Sequence, residues 1–332
     1  MERRKRVWLR LGLYLGVPLF LLLAAALYMI PMPGKSYRGT LPPLTAEERA
    51  LENRLRLHVQ HLAEGIGNRN VFVPDALDEA AVYIEDAFRG IGLRPRRQTF
   101  RAHGQDVHNI EVEIEGSDEI VVGGAHYDSA PDCPAANDNG TGVAALLEIA
   151  REWRHKQPVR TLRFVAFVNE EPPFFQTAQM GSLVYAQAAE ERGDKIVAML
   201  SLETIGYYSD AKGSQRYPFP FGLFYPGTGD FIGFVGNIGS RSLVRRCVRS
   251  FRSHTRFPSE GAAVPGWVPG VGWSDHWSFW KAGYEGVMVT DTAPFRYPHY
   301  HLPTDTADRI DFARMARVVA GLTRVIDELA SG

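Results

Sequence analysis
The sequence predicts an α/β domain, and three observations lead to it. The runs Ile120-Val121-Val122-Gly123, Thr161-Leu162-Arg163-Phe164-Val165-Ala166-Phe167-Val168 and Ala198-Met199-Leu200-Ser201-Leu202 have strand length and composition, and they lead into His126, Glu170-Glu171 and Glu203. Segments with apolar residues every three to four positions lie around them, so strands and helices alternate. The 332 residues, 45% of them hydrophobic with 32 Gly and 21 Pro spread throughout, suffice for a substantial core and show no collagenous or disordered character. A net charge of −1 argues against nucleic acid as a partner, and no basic stripe interleaved with aromatics occurs beyond the extreme N-terminus.

In chain order, Arg3-Arg4-Lys5-Arg6 and Arg10 precede an uncharged run from Leu11 to Met32. Such a run matches the ~20 residues that cross a ~30 Å hydrocarbon core. Residues 1–10 read as a basic cytoplasmic tail and 11–32 as a transmembrane helix, which sends the rest of the chain to the periplasmic or extracellular side. A cleaved signal peptide competes, with Ala24-Ala25-Ala26 as its small residues. The apolar run continues through Leu27-Tyr28-Met29-Ile30, past the roughly 7–15 residues of a signal core, and favours an uncleaved single-pass anchor.

Residues 33–44 are rich in Pro and Gly and read as a linker, and 45–332 as one large domain. Thr45-Ala46-Glu47-Glu48 has capping-box spacing and opens a helix carrying Leu51, Leu55, Val59 and Leu62. A second helix follows Pro74-Asp75 and ends near Gly90 and Gly92. Val107, Ile110, Val112 and Ile114 mark a strand, and Met315, Val318, Leu322, Val325 and Leu329 mark a closing helix. No internal repeat is evident.

The chemistry gathers at the strand ends, where open α/β sheets bind ligands. Buried charges there are costly unless paired or bound to metal. His126, Asp138, Glu171, Glu203 and His301 form a candidate metal-ligand set. Three carboxylates with two neutral imidazoles call for two divalent cations plus a hydroxide, and zinc suits mixed nitrogen and oxygen donors. Asp138, flanked by Asn137, Asn139 and Gly140 in a tight turn, is the candidate bridge. Asp128, two residues after His126, faces the same side of an extended segment and would orient the imidazole. Glu170 and Glu171 point to opposite faces of a strand and cannot both bind one ion without a kink. Glu171 is therefore assigned to metal and Glu170 to general-base duty, taking a proton from a metal-activated water and passing it to a leaving amine. His299 and His301 are two apart, and geometry alone does not choose between them.

From about Val107 onward the chain resembles the zinc-dependent aminopeptidases that include bacterial leucyl aminopeptidase and aminopeptidase Y, relatives of glutamate carboxypeptidase II. The resemblance rests on Gly124-Ala125-His126-Tyr127-Asp128-Ser129, Ala136-Asn137-Asp138-Asn139-Gly140-Thr141-Gly142, Asn169-Glu170-Glu171 with Gly181-Ser182, and Leu202-Glu203-Thr204-Ile205-Gly206-Tyr207. Ser274-Asp275-His276 and His301-Leu302-Pro303-Thr304-Asp305-Thr306 complete it. It implies a central mixed, mainly parallel sheet sandwiched by helices, two zinc ions bridged by an aspartate, and hydrolysis of peptide bonds, usually at a free N-terminus. Carried over, His126, Asp138 and Glu203 would hold one zinc and Asp138, Glu171 and His301 the other, with Glu170 as base. Spacing to Asp305-Thr306 favours His301.

Two departures from the family stand out: Glu203 occupies a position that is often Asp, and the stretch from Pro172 to Met180 is longer than usual. The inserted Phe174 and Phe175 are candidates to shape a specificity pocket, and Arg296 and Tyr297 to grip a substrate carboxylate and an oxyanion. Trp267, Trp273, Trp277 and Trp280 suit either a pocket or core packing. Ser274, Asp275 and His276 are adjacent and cannot form a nucleophile–base–orienter relay. Cys133 and Cys247 read as independent free thiols. The alternatives to a dizinc aminopeptidase are a single-zinc acyltransferase of the glutaminyl cyclase type and a non-enzymatic ectodomain. The carboxylate set and Gly181-Ser182 favour the peptidase.

Overall fold
Strand alternation sorts the apolar side chains into two layers. In β3 (Ser117–His126) and β4 (Arg160–Phe167), Val121, Leu162, Phe164 and Ala166 enter a large core on one face, while Ile120, Val122, Val165 and Phe167 enter a smaller one on the other. The computed structural model describes residues 14, 16–21 and 24–332. In it β1 (Arg96–Ala102), β2 (Gln105–Ile114), β3, β4, β5 (Lys195–Glu203), β6 (Ile232–Gly236), β7 (Ser259–Ala263) and β8 (Gly286–Thr290) make one sheet, in the order β1-β2-β4-β3-β5-β8-β6-β7. The four central strands β4, β3, β5 and β8 are mutually parallel, and antiparallel pairings join β1, β2 and β6 to them. This is the expected mixed, mostly parallel sheet. The short β6 and β7 and the charged β1 carry little apolar periodicity, so the sequence alone does not mark them.

Helices cover both faces. The larger core lies under α1 (Ala46–Gln60), α2 (Pro74–Gly90), α3 (Gly142–Trp153), α5 (Arg241–His254) and the closing helix α8 (Phe312–Ser331). The smaller core lies under α4 (Gly181–Arg192) and α6 (His276–Lys281), with Tyr185, Ala186 and Phe279 inside it. A short helix α7 (Ala293–Arg296) follows β8. The Thr45 hydroxyl accepts from Glu48 N at 3.1 Å and Glu48 accepts from Thr45 N at 2.8 Å, the expected capping box. Pro74 occupies the first turn of α2, where its missing N–H costs nothing. All five apolar positions expected on the closing helix are buried, each contributing roughly 1.5–3 kcal/mol.

Among the described residues no helix is long and apolar enough to cross a membrane. The expected basic tail lies outside the described residues, as does part of the expected span over 11–32. Residues 16–21 and 24–29 of that span are helical, with Leu19, Phe20, Leu21 and Leu27 exposed. The stretch that follows has no regular structure but is tied to the domain, Arg252 donating to Pro33 O at 3.1 Å and Ser36 Oγ accepting from Ser259 N at 3.0 Å.

Candidate metal centre
Parallel pairing brings the C-terminal ends of β4, β3 and β5 side by side. His126 ends β3 beside Phe167 of β4, and Glu203 ends β5. Past β4 the chain turns at Asn169, whose φ of +59° is the kink that lets Glu170 and Glu171 both reach the site. The 136–141 turn is fastened from two sides. The Asp305 carboxylate accepts from Asn137 N (2.9 Å) and Asp138 N (3.1 Å). The Asn139 amide donates to Leu202 O (2.8 Å) and accepts from Gly142 N (3.0 Å) and Thr204 N (3.1 Å). A Cβ at Gly142 would stand 2.2 Å from Leu202 O, so only glycine lets the turn press against β5. Asp138 is thereby held between the imidazoles of His126 and His301.

Two triads result, each with its donor atoms within 4.8 Å of one another, and they share Asp138. In the first, His126 Nε2 lies 3.3 Å from Asp138 Oδ1 and 3.4 Å from Glu203 Oε2. In the second, His301 Nε2 lies 3.1 Å from both Asp138 Oδ2 and Glu171 Oε2. Glu170 Oε2 stands 3.9 Å from His126 Nε2. His126 Nε2 and Glu171 Oε1 are buried and make no hydrogen bond. Orphaned donor atoms converging in this way fit a cation.

The electrostatics agree. Burial pushes Glu170 well above the usual carboxylate range, raises Glu203, and lifts Glu171 to about 7, with the Asp138 charge adding to the last. Burial would lower His301, but its bonds to Asp138 and Glu171 raise it to about 10. Burial likewise opposes the charge on His126, and Glu203 and Glu170 overcome it and hold the imidazole well above its ordinary value. Asp275 is a further buried carboxylate without a hydrogen-bond partner, and burial raises it to about 7. Two imidazoles are too few to balance these carboxylates, and the cluster has the charge and donor set of a cation site.

The other expected residues divide. Asp128 lies 3.5 Å from His126 Nδ1, and its carboxylate also accepts from Glu170 N and Glu171 N, both at 3.1 Å. It thus joins the β3 end to the Glu170-Glu171 turn. His301 enters a triad, whereas His299 bonds Thr304 Oγ1 at 2.8 Å outside it. Three of the four substrate candidates are committed elsewhere. Arg296 is buried, with its guanidinium committed to Gln215 Oε1 (2.7 Å) and Phe231 O (2.8 Å). The Tyr297 hydroxyl donates to Asp305 at 2.7 Å, the carboxylate that holds the Asp138 turn. Phe174 folds back into the core, its N–H donating to Glu171 O, and Phe175 is half-buried. Neither lines the pocket beside Glu203.

That pocket is apolar, with Tyr300, Trp273, Phe295, Met288, Val271 and Phe221 among its walls. Sequence reasoning missed Tyr300, which stacks on His301 with ring centroids 3.8 Å apart, and its place next to His301 was the only signal. Ser274 was also missed as a brace: its hydroxyl donates to Glu203 Oε2 at 2.7 Å and contacts Ser201 Oγ at 2.8 Å. His276 bonds Val271 O, and both cysteines are buried and free, as expected of the thiols.

Comparison with known proteins places this geometry. The model of "Peptidase family M28" matches residues 109–326. The uncharacterized protein YfbL of Escherichia coli is 38% identical over 287 residues, covering 83% of this chain and 88% of YfbL. Leucine aminopeptidase 1 of Arthroderma otae is 26% identical, covering 67% of this chain and 58% of that protein. Among solved structures, BSAP, a zinc aminopeptidase from Bacillus subtilis, has a TM-score of 0.68 at 17% identity over 84% of this chain and 95% of that one. A glutaminyl cyclase from Fimbriiglobus ruber has a TM-score of 0.63 at 20% identity over 90% and 99%. Identities this low show a shared fold alone. The family match runs from β2 to the closing helix and takes in every residue of both triads, and on it the chain belongs to peptidase family M28.

Proposed function
We propose that the protein is a membrane-anchored dizinc aminopeptidase that removes apolar residues from the N-termini of peptides. The observation that carries this reading is the pair of triads sharing Asp138. His126, Asp138 and Glu203 would hold one zinc ion, and Asp138, Glu171 and His301 the other. When bound, such a pair polarises a peptide carbonyl and makes a water acidic near neutrality.

The chain's own residues do the rest. Glu170, its carboxyl raised by burial, is suited to take a proton from the attacking water and hand it to the departing amine. Asp128 holds the Glu170 and Glu171 backbone and so keeps base and ligand in register. The apolar pocket adjoining Glu203 would receive the side chain of the N-terminal residue, with Tyr300 between it and His301. Large apolar residues are the expected substrates.

The test is metal content together with hydrolysis of an aminoacyl-p-nitroanilide panel by the full chain in detergent, wild type against Glu170→Ala. Two zinc ions, Leu and Phe favoured over Lys and Asp, and activity lost in the variant are expected. One zinc with cyclisation of N-terminal glutamine and no nitroaniline release would replace this reading with the cyclase one.

The anchor reading draws on the uncharged run from Leu11 to Met32 behind its basic cluster. It places the catalytic domain on the periplasmic or extracellular side. Resistance to carbonate extraction and digestion by protease added outside the cytoplasmic membrane are expected. Recovery in the carbonate supernatant would end it.

A further inference from the structure
The loop from Tyr217 to Tyr225 has a double character. Its Phe221 and Tyr225 line the apolar pocket beside Glu203, while Phe219, Leu223 and Phe224 point outward, 89%, 75% and 49% exposed. Isolated exposed apolar residues are ordinary, but three in six positions of one loop form a patch. Its location is informative. Phe224 and Tyr225 share a cleft with Ile30 and Met32, and Met29 packs with Phe221 against Val264, Val268 and Val271. The loop therefore sits at the end of the chain's exposed apolar N-terminal helix.

Helix α5 lies at the same end. Arg241, Arg245 and Arg249 recur every four residues and share one face, whereas Arg252 beyond them is turned into the domain, bonded to Ser259 and 3.7 Å from Glu260. Arg241 donates to Tyr28 O (2.7 Å), Arg245 to Pro31 O (2.6 Å) and Arg252 to Pro33 O (3.1 Å), while Arg249 is exposed. An apolar rim beside a cationic face, continuous with an apolar helix, has the composition of a surface that rests on anionic lipid.

We propose that the loop tip Phe219, Leu223 and Phe224 inserts into the headgroup–acyl boundary of the bilayer, with the arginine face of α5 against anionic headgroups, so that the apolar pocket opens at the membrane surface. This rests on the anchor reading and deepens it. An anchored domain can also stand clear of the membrane on its linker, but residues 28–36 are fastened to α5 and β7 and hold this one close. The substrates favoured are amphiphilic peptides already bound to the bilayer, whose apolar N-termini reach the pocket without crossing water.

The test uses the full chain reconstituted in vesicles of phosphatidylethanolamine and phosphatidylglycerol. An environment-sensitive fluorophore is placed by Leu223→Cys, by Phe20→Cys in the helix and by Val159→Cys as an exposed reference, the native cysteines being buried. Quenching by lipid-borne nitroxides at 223 and 20 but not at 159 is expected. Quenching at 20 alone leaves the anchor and overturns the surface; quenching at neither overturns both. A second readout guards against a misfolded label site. In Phe219→Ser/Leu223→Ser/Phe224→Ser, the kcat/KM for a vesicle-bound amphipathic peptide, taken as a ratio to that for soluble leucine p-nitroanilide, should fall at least about fivefold. An unchanged ratio overturns the proposal.

Discussion
The two triads share Asp138 and differ in how they are built. His126 and Glu203 are the last residues of two adjacent parallel strands, His126 is fully buried, and Glu203 is braced by Ser274. Glu171 and His301 come from loops: one follows Asn169 at φ +59°, the other itself sits at φ +55° with its side chain 31% exposed. Sheet hydrogen bonding positions the first pair on extended backbone, and the left-handed Thr204 at φ +45° comes only after Glu203. The second pair depends on left-handed residues that cost about 1–3 kcal/mol each and must be held by their surroundings. The difference points to a stiff site and a softer one around a common carboxylate.

The severest way to break this comparison is Asp138→Asn, which takes a shared ligand from both triads. Metal analysis should then find neither ion, whereas His301→Ala should retain the strand-borne one. Equal metal loss in the two variants would mean that the sites are not separable. Glu170→Gln should come next, with both ions retained and kcat lowered by about 10²–10⁴-fold. If that variant lost metal, Glu170 would be a ligand rather than a base.

Chelator sharpens the contrast. Titration of the zinc-loaded protein should show two steps, the first removing the ion beside the exposed His301 and the second the buried ion at His126. His301→Ala should show only the second. A single step in the wild type would indicate sites of equal stability. Ser274→Ala should weaken retention of the buried ion by about 10–100-fold while leaving the loop site intact, since it removes the hydrogen bond that aims Glu203.

The same division decides what could be read from the sequence. His126, Glu171 and Glu203 were legible because they follow strand-like runs, and a strand end fixes where its next residues point, whereas Asp138 was legible from its Asn and Gly neighbours and His301 from the family spacing to Asp305-Thr306. The loop-borne choice between His299 and His301 was not decidable from local geometry, since it turns on a left-handed residue at His301 itself. Phe174 and Phe175 looked like pocket residues because they adjoin Glu171, but a turn back to Glu171 O sends Phe174 into the core. The Arg296 partners, Gln215 and Phe231, lie 81 and 65 residues away and leave no local trace. The pocket is assembled from five segments, Glu203, 215–225, 231–235, 260–273 and 288–300, and among its walls only Glu203, Trp273 and Tyr300 lie in or beside a recognisable motif.

Tyr297→Phe is the mildest change and the most discriminating about the loop side. If the hydroxyl stabilised an oxyanion, its loss would cost about 10²–10³-fold in kcat. The structure instead aims it at Asp305, whose carboxylate also receives Asn137 N and Asp138 N. Those two backbone bonds survive the substitution and continue to hold the Asp138 turn. The expected result is a stability loss of about 2 kcal/mol, the usual worth of a hydrogen bond to a charged group, seen as a lower denaturation midpoint. With the turn still fastened, kcat should change by less than about threefold. A large fall in kcat with unchanged stability would return Tyr297 to the substrate and would mean that the loop carrying His301 rearranges when peptide binds.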